Sequence, residues 1–514
     1  MDLSRRHLLV GSSLAALTAS CRSGREARVA VAERDGLERA LQAALSAAQR
    51  AGATYADARV VRREAERVIT KEDHVERVSS EESYGLGVRV LIGGAWGFAS
   101  SATVDEAAAV ETANRAVLLG KAHGKLVKKP IELAKAPAAR DRWSSPMQID
   151  PFRVPLADKV QLLLAVWPEA QKVAGVRFCE ASCTSLGEWK LFASTDGSVL
   201  EQSITRVNAE IELTAADPTT GEFVTRNLEL PARQAGWEHI VAANLPGVAR
   251  KLAEDAVEKL RAPSVEPGKR DLILAPSNLW LTIHESVGHP TELDRVLGWE
   301  ANFAGTSFAT LDKKGKLQFA APHVTLYADK TTPGALATCA YDDEGVRTQR
   351  WDLVKDGVLV GYQTTRDQAA VLGEAESRGT CYGATFDGFP FQRMPNVSLA
   401  PGKGDTTVAD IIAATDDGIY VTGNGSWSID HQRYNFQVKK GKITRALRDV
   451  AYQANTLSFW NACDLLGGAK SWELYGALND GKGEPSQSNA VGHGCPPARF
   501  RNVSILNTNA RGRA

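Results

Sequence analysis

The sequence predicts an α+β fold: an N-terminal α/β domain with helices on a curved sheet, then a C-terminal β-rich domain carrying one buried helix. Three observations lead there. At 514 residues the chain exceeds what one hydrophobic core usually serves, so two domains are expected. The first half switches repeatedly between apolar spacing of three and four and strict alternation, the marks of amphipathic helix and half-buried strand. From 310 to 450 the chain is strand and turn, and helical signal stays thin until about 456–466.

The elements follow in order. Leu37, Ala40, Leu41, Ala44, Leu45 and Ala48 define a helix over 34–50 that stops at Gly52. Tyr55 to Val61 and the stretch from Val68 read as strands, and 85–101 as a hairpin turned at Gly93-Gly94. The glycines at 85, 87, 93, 94 and 97 lie within these strands and no helix opens after them, so a phosphate-cradling loop is not expected. A second helix covers 104–120, a connection rich in Pro, Ala and Lys covers 128–155, and a third helix covers 156–172. Strands run from Val176 to Leu230 with turns expected at Leu186-Gly187, Asp196-Gly197 and Thr220-Gly221. A helix over 245–261 leads to Pro263 and Pro267, where the composition sets the boundary between domains spanning 33–262 and 268–510. The second domain opens with strand 271–274 feeding a helix from Pro276, and Lys355-Asp356-Gly357 and Lys440-Gly441 occupy hairpin positions.

Chemistry concentrates in that helix, at His284-Glu285-Ser286-Val287-Gly288-His289-Pro290. The shorter motif HExxH sets two histidines one turn apart so that both reach one ion, with the glutamate acting on water. Here the second histidine is one residue later, about 140° around a regular helix, so a shared ion requires a widened turn, by a π-bulge or by a break. Gly288 supplies backbone freedom and Pro290 argues that the helix stops there. Glu292, Asp294 and Glu300 are positioned either to orient a ligating histidine or to form a solvated face, whereas Trp299, Phe303 and Phe308 read as core.

The stretch HESVGHPTELDR resembles the metal motif of the TldD/PmbA peptidases. Gly85-Leu86-Gly87-Val88-Arg89-Val90, Gly94 to Ser100, Arg393-Met394-Pro395-Asn396 with Pro401-Gly402, and Gly418-Ile419-Tyr420 are similar to further patterns of that family. The resemblance spans most of the chain after about residue 30. It implies a metal-dependent peptidase acting on unfolded peptides or small proteins, with His284 and His289 holding one zinc or another divalent ion. Glu285 is then the general base toward a metal-activated water. The family's third ligand is a cysteine in a Cys-Gly-Lys context; this chain has Asp480-Gly481-Lys482 there. Asp480 is a legitimate ligand, Cys495 beside His493 is an alternative, and a metal-poor, inactive site is a third outcome. His493 and Cys495 also fit a plain turn ending at Pro496-Pro497. The family further implies a dimer, homo or hetero, and it includes members without HExxxH that pair with members having it. A non-catalytic, peptide-binding partner subunit is therefore the competing reading.

Sixty-one basic residues balance sixty-one acidic ones, and no basic run interleaved with aromatics points to nucleic acid. Residues 1–21 differ from the rest: Arg5-Arg6 precedes a small-residue apolar run from Val10 to Ala19, similar to a twin-arginine export signal. A periplasmic location is expected. Cys21 follows at the place of a lipoprotein cysteine and raises a lipid tether, although Thr18 departs from that pattern. Of the seven cysteines, Cys179 and Cys183 fall on one face of a strand as small buried residues, and neither sits in a CxxC or at a helix start as a redox pair would.

Overall fold

A computed structural model describes residues 31–424, 433–483 and 486–509; the export segment and Cys21 lie outside the described residues. The fold is α+β. Its first half is organised on one seven-stranded sheet of order β3-β2-β1-β5-β6-β4, with β7 also on β6. Helix α1 (Val31–Arg50) precedes β1 (Tyr55–Lys71), β2 (His74–Ile92) and β3 (Ala95–Ser101), and α2 (Glu106–Gly124) follows. Next come β4 (Arg140–Ser144), α3 (Leu156–Leu164), β5 (Val176–Ser194), β6 (Val199–Ala216), β7 (Phe223–Asn227) and α4 (Leu245–Arg261).

Strand alternation gives this sheet two unlike buried faces. Ala56, Ala58, Val60, Val88, Val90 and Leu191 pack under α1 and α2, while Cys179, Cys183, Ile211 and Leu213 pack under α3 and α4. The opposite face carries Asp57, Arg59, Arg89, Glu188, Lys190 and Arg206, all buried. These bind the second half: Lys190 reaches Asp343 at 2.7 Å and Gly383 O at 3.0 Å, and Arg206 donates to Leu336 O at 2.8 Å. All six described cysteines are free thiols.

Several boundaries depart from the sequence reading. The hairpin at Gly93-Gly94 is present, both glycines at positive φ. The turn expected at Leu186-Gly187 is absent: β5 runs straight through, because Gly187 pairs with Glu64 on one side and Thr205 on the other. The connection over 128–155 contains β4, which pairs in parallel with β6. The helix over 156–172 is broken, Pro168 opening a separate short helix at Trp167–Ala170.

In the second half, β8 (Gly268–Leu274) feeds α5 (Pro276–Ile283). A four-stranded sheet contains β9 (Leu326–Asp329), β10 (Arg350–Lys355), β11 (Val358–Leu359) and β12 (Asn396–Leu399), in order β11-β10-β9-β12. The second seven-stranded sheet adds to β8 the strands β13 (Asp417–Thr422), β14 (Tyr434–Lys439), β15 (Lys442–Leu447), β16 (Val450–Gln453) and β17 (Cys463–Leu466). Strands β18 (Glu473–Lys482) and β19 (Gln487–Cys495) form a hairpin of their own, and β20 (Ala498–Asn507) returns to lie between β8 and β16. Asp356 and Gly357, like Lys440 and Gly441, take the positive φ that tight hairpins demand. The helix expected at 456–466 is shorter, Thr456–Asn461, because β17 takes over at Cys463. Leu279, Ile283 and Val287 anchor α5 and its continuation in the large core of this half.

Candidate metal centre

Helix α5 begins with Pro276 in its first turn, where a missing N–H is harmless, and runs regularly to Ile283. Residues His284–Gly288 then widen into a π turn, and the backbone N–H of His289 donates to the carbonyl of His284. That extra residue per turn brings His289 beneath His284; their rings meet edge to face with centroids 4.7 Å apart. A 3₁₀ turn at His289–Thr291, with Pro290 in it, ends the segment. Gly288 has ordinary helical angles (φ −54°), so backbone freedom is not its role. A Cβ there would stand 2.5 Å from the Met394 sulfur, so the glycine lets the helix close on that side chain.

Asp480 reaches the same point from β18. One ligand atom each from His284, His289 and Asp480 lies within 4.8 Å of the others. Asp480 Oδ1 is 3.5 Å from His284 Nε2 and 3.9 Å from His289 Nε2. Two imidazoles and a carboxylate are a hydrolytic-metal donor set. Glu285 stands at the rim, Oε2 3.8 Å from His289 Nε2, its side chain 26 % exposed. Cys495 is not part of the cluster: its sulfur lies in the core, 3.8 Å from Pro276 O, and burial pushes its thiol well above the usual range. The turn expected at His493 and Cys495 is instead the buried end of β19.

Each of the three residues is held from behind. Glu292 Oε2 accepts from His289 Nδ1 at 3.0 Å, and Lys482 Nζ in turn lies 3.1 Å from Glu292 Oε1 and 2.8 Å from Asp294 Oδ2. Arg393 donates to Asp480 Oδ2 at 3.2 Å and also to the Asp480 carbonyl. His284 Nδ1 is 2.9 Å from His493 Nε2. Burial alone would raise the Asp480 carboxyl, but His284, Arg393 and His289 outweigh it and hold the group below its ordinary range. Burial pulls His289 down, yet Glu292 carries its net shift upward; His493, fully buried, is held well below the usual imidazole range.

Of the three acids singled out after the motif, Glu292 is thus the one that orients a histidine, while Asp294 neutralises Lys482. Trp299 and Phe303 are not core: they are 55 % and 52 % exposed, because the chain at 298–305 folds outward in a short helix. Phe308 does pack against the core. Sequence reasoning missed Lys482, Arg393 and His493. Period-two spacing from Asp480 signals Lys482, which shares its face of β18. The other two meet the site only through folding.

The arrangement is that of a metallohydrolase centre carried on an interrupted helix. Residues 267–507 match the PmbA/TldA metallopeptidase C-terminal domain, 149–261 the central domain, and 56–119 domain 1. The chain belongs to the PmbA/TldA metallopeptidase family. It is similar to a metalloprotease of Methanothermobacter thermautotrophicus, 27% identical over 464 residues that cover 88% of this chain and 96% of the relative. A zinc metalloprotease TldD homolog of Saccharolobus solfataricus is 21% identical over 466 residues, covering 89% and 98%. Among solved structures, TldE from Thermococcus kodakarensis shares the fold with a TM-score of 0.69 at 14% identity, over 91% of this chain and all of that one. These relatives support a metallopeptidase role.

Proposed function

We propose that this protein is an exported, zinc-dependent peptidase that cleaves unfolded peptides or small proteins, with His284, His289 and Asp480 holding one zinc per chain and Glu285 as general base. The observation that carries the reading is the convergence of two imidazoles and a carboxylate beside a rim glutamate. Bound there, zinc supplies Lewis acidity toward a peptide carbonyl and toward water. Glu285 accepts the proton of the attacking water and delivers it to the departing amine, its partial exposure leaving both within reach. Glu292 and Arg393 hold His289 and Asp480 in position through that proton transfer.

A groove of about 650 Å³ runs along the outer face of the helix, bordered by Leu281, Thr282, Ser286, Tyr452 and Phe459. Ser286, which borders the groove, is the chain neighbour of Glu285. An extended chain advances roughly 3.3 Å per residue, so a segment of several residues fits such a groove. Its lining mixes Leu281, Phe459 and Leu506 with hydroxyl and amide groups and Arg433, which suits a peptide backbone carrying apolar side chains. The twin arginines supply the export reading, with a periplasmic destination and Cys21 as candidate tether. The likeness to TldE supports pairing with a second subunit, a copy or a relative. Assembly of three potential ligands favours the enzyme over a non-catalytic partner.

The test is Glu285→Gln. Peptide hydrolysis should fall about 10²- to 10⁴-fold with zinc content unchanged. Retained hydrolysis would remove the assigned base. Replacing Arg5 and Arg6 by lysine should leave the protein in the cytoplasm; normal export would defeat the signal reading.

A further inference from the structure

We infer that His493 is a positioning residue that fixes the tautomer of His284 and so aims the lone pair of His284 Nε2 at the metal centre. This rests on the ligand set proposed above but adds a residue to it.

The argument is a count of protons. His493 Nδ1 lies 2.8 Å from the carbonyl oxygen of Val397, which can only accept, so that nitrogen carries a hydrogen. The ring is buried, stacks against Trp280 with centroids 5.9 Å apart, and among the described residues hydrogen-bonds to no carboxylate, which disfavours a second proton on it. His493 Nε2 is therefore an acceptor. It faces His284 Nδ1 at 2.9 Å, so His284 donates from Nδ1 and keeps its lone pair on Nε2, the atom 3.5 Å from Asp480 Oδ1. The reverse order would set an unprotonated nitrogen against the Val397 carbonyl, lone pair to lone pair.

The two histidine ligands are thus backed by different chemistry. His289 leans on a carboxylate, while His284 leans on a neutral imidazole that ends on a main-chain carbonyl of β12. Both backing groups, Glu292 and His493, are fully buried. Outer partners of this kind hold ring orientation as well as tautomer, and their loss typically weakens metal binding about 10- to 100-fold.

The experiment measures zinc affinity by competition with a chromophoric chelator, on full-length wild type, His493→Phe and His493→Gln, beside thermal melting of the zinc-free proteins. Phenylalanine fills the space and removes the acceptor; glutamine offers an amide oxygen at similar reach. The expected result is about 10- to 100-fold weaker zinc binding in His493→Phe, with most of the loss recovered in His493→Gln. Wild-type affinity in a folded His493→Phe, or equal losses in both variants, would overturn the assignment. Should His493→Phe fail to fold, ¹⁵N-histidine NMR of the zinc-free wild type decides: Nδ1–H on both rings supports it, and Nε2–H on His493 overturns it. Wild type that binds no zinc while showing those tautomers would sink the proposed function and leave the proton order standing.

Discussion

The backbone N–H of His289 bonds the carbonyl of His284, five residues back instead of four. One hydrogen bond of the wrong length for an α-helix converts a spacing that would splay two histidines into one that pairs them, and Gly288 is where this becomes vulnerable. In Gly288→Ala the new methyl meets the Met394 sulfur and its terminal carbon, 2.5 and 2.7 Å away. We expect about 1–3 kcal/mol of destabilisation, read by urea unfolding of the metal-free protein. The combination with Met394→Ala should cost less than the sum of the single variants; strict additivity would mean the contact is not the cause.

In the proposed site, the Asp480 carboxylate would set metal preference. Asp480→Ala should weaken zinc binding more than about 100-fold, beyond the loss of an outer partner alone. Asp480→Cys should still take zinc and show a higher ratio of zinc to manganese affinity, since a thiolate is the softer donor. It should also melt lower than wild type, because the buried Arg393 loses its carboxylate partner and keeps only the main-chain carbonyl. Competition titrations with both ions check the first two statements. An unchanged ratio would put the ion elsewhere.

The polar seam between the halves makes stability depend on pH. Burial pushes the Glu188 carboxyl up, but Lys190, Arg206 and Arg63, with the Tyr382 hydroxyl donating at 2.6 Å, outweigh it and hold the group at about 2. A carboxyl depressed on folding contributes stability that is present above its unfolded value, about 4.5, and is lost as pH falls toward 2. Glu188→Gln should therefore be less stable than wild type at pH 7, by about 3–5 kcal/mol for a broken buried ion pair, and show a flatter decline below pH 4.5. Urea unfolding across pH 2–7 measures both; parallel curves would show that another acid controls the limb.

Local patterns in the sequence carried the elements whose neighbours are close in the chain. Helix 245–261, the start of α5 at Pro276 and the hairpins at 93–94, 356–357 and 440–441 follow from caps, prolines and φ-permissive pairs. The widened turn at 284–288 also followed, from the angular mismatch of HExxxH. What failed depended on distant partners. Gly187 reads as a turn until strands on both sides hold it extended. Gly85 and Gly87 read as weak strand glycines, whereas the chain at Phe386 lies so close that a Cβ on either would fall 2.4 Å from it. Of the candidate ligands, His284 and His289 could be named from residue type and spacing, and Asp480 from the family resemblance. Their supports could not, Lys482 apart: His493 and Arg393 acquire meaning only when the strands around the helix close on it.

The order of strands in the second sheet also times the assembly of the proposed site. Strand β20 sits between β8 and β16 and completes a sheet that opened with β8, and Asp480 precedes it by only a short stretch of chain. A nascent chain that has already extruded both histidines still lacks the carboxylate and the strand that closes the sheet. Synthesis is thereby its own safety catch: the proposed centre cannot form until the hairpin that carries Asp480 has been made.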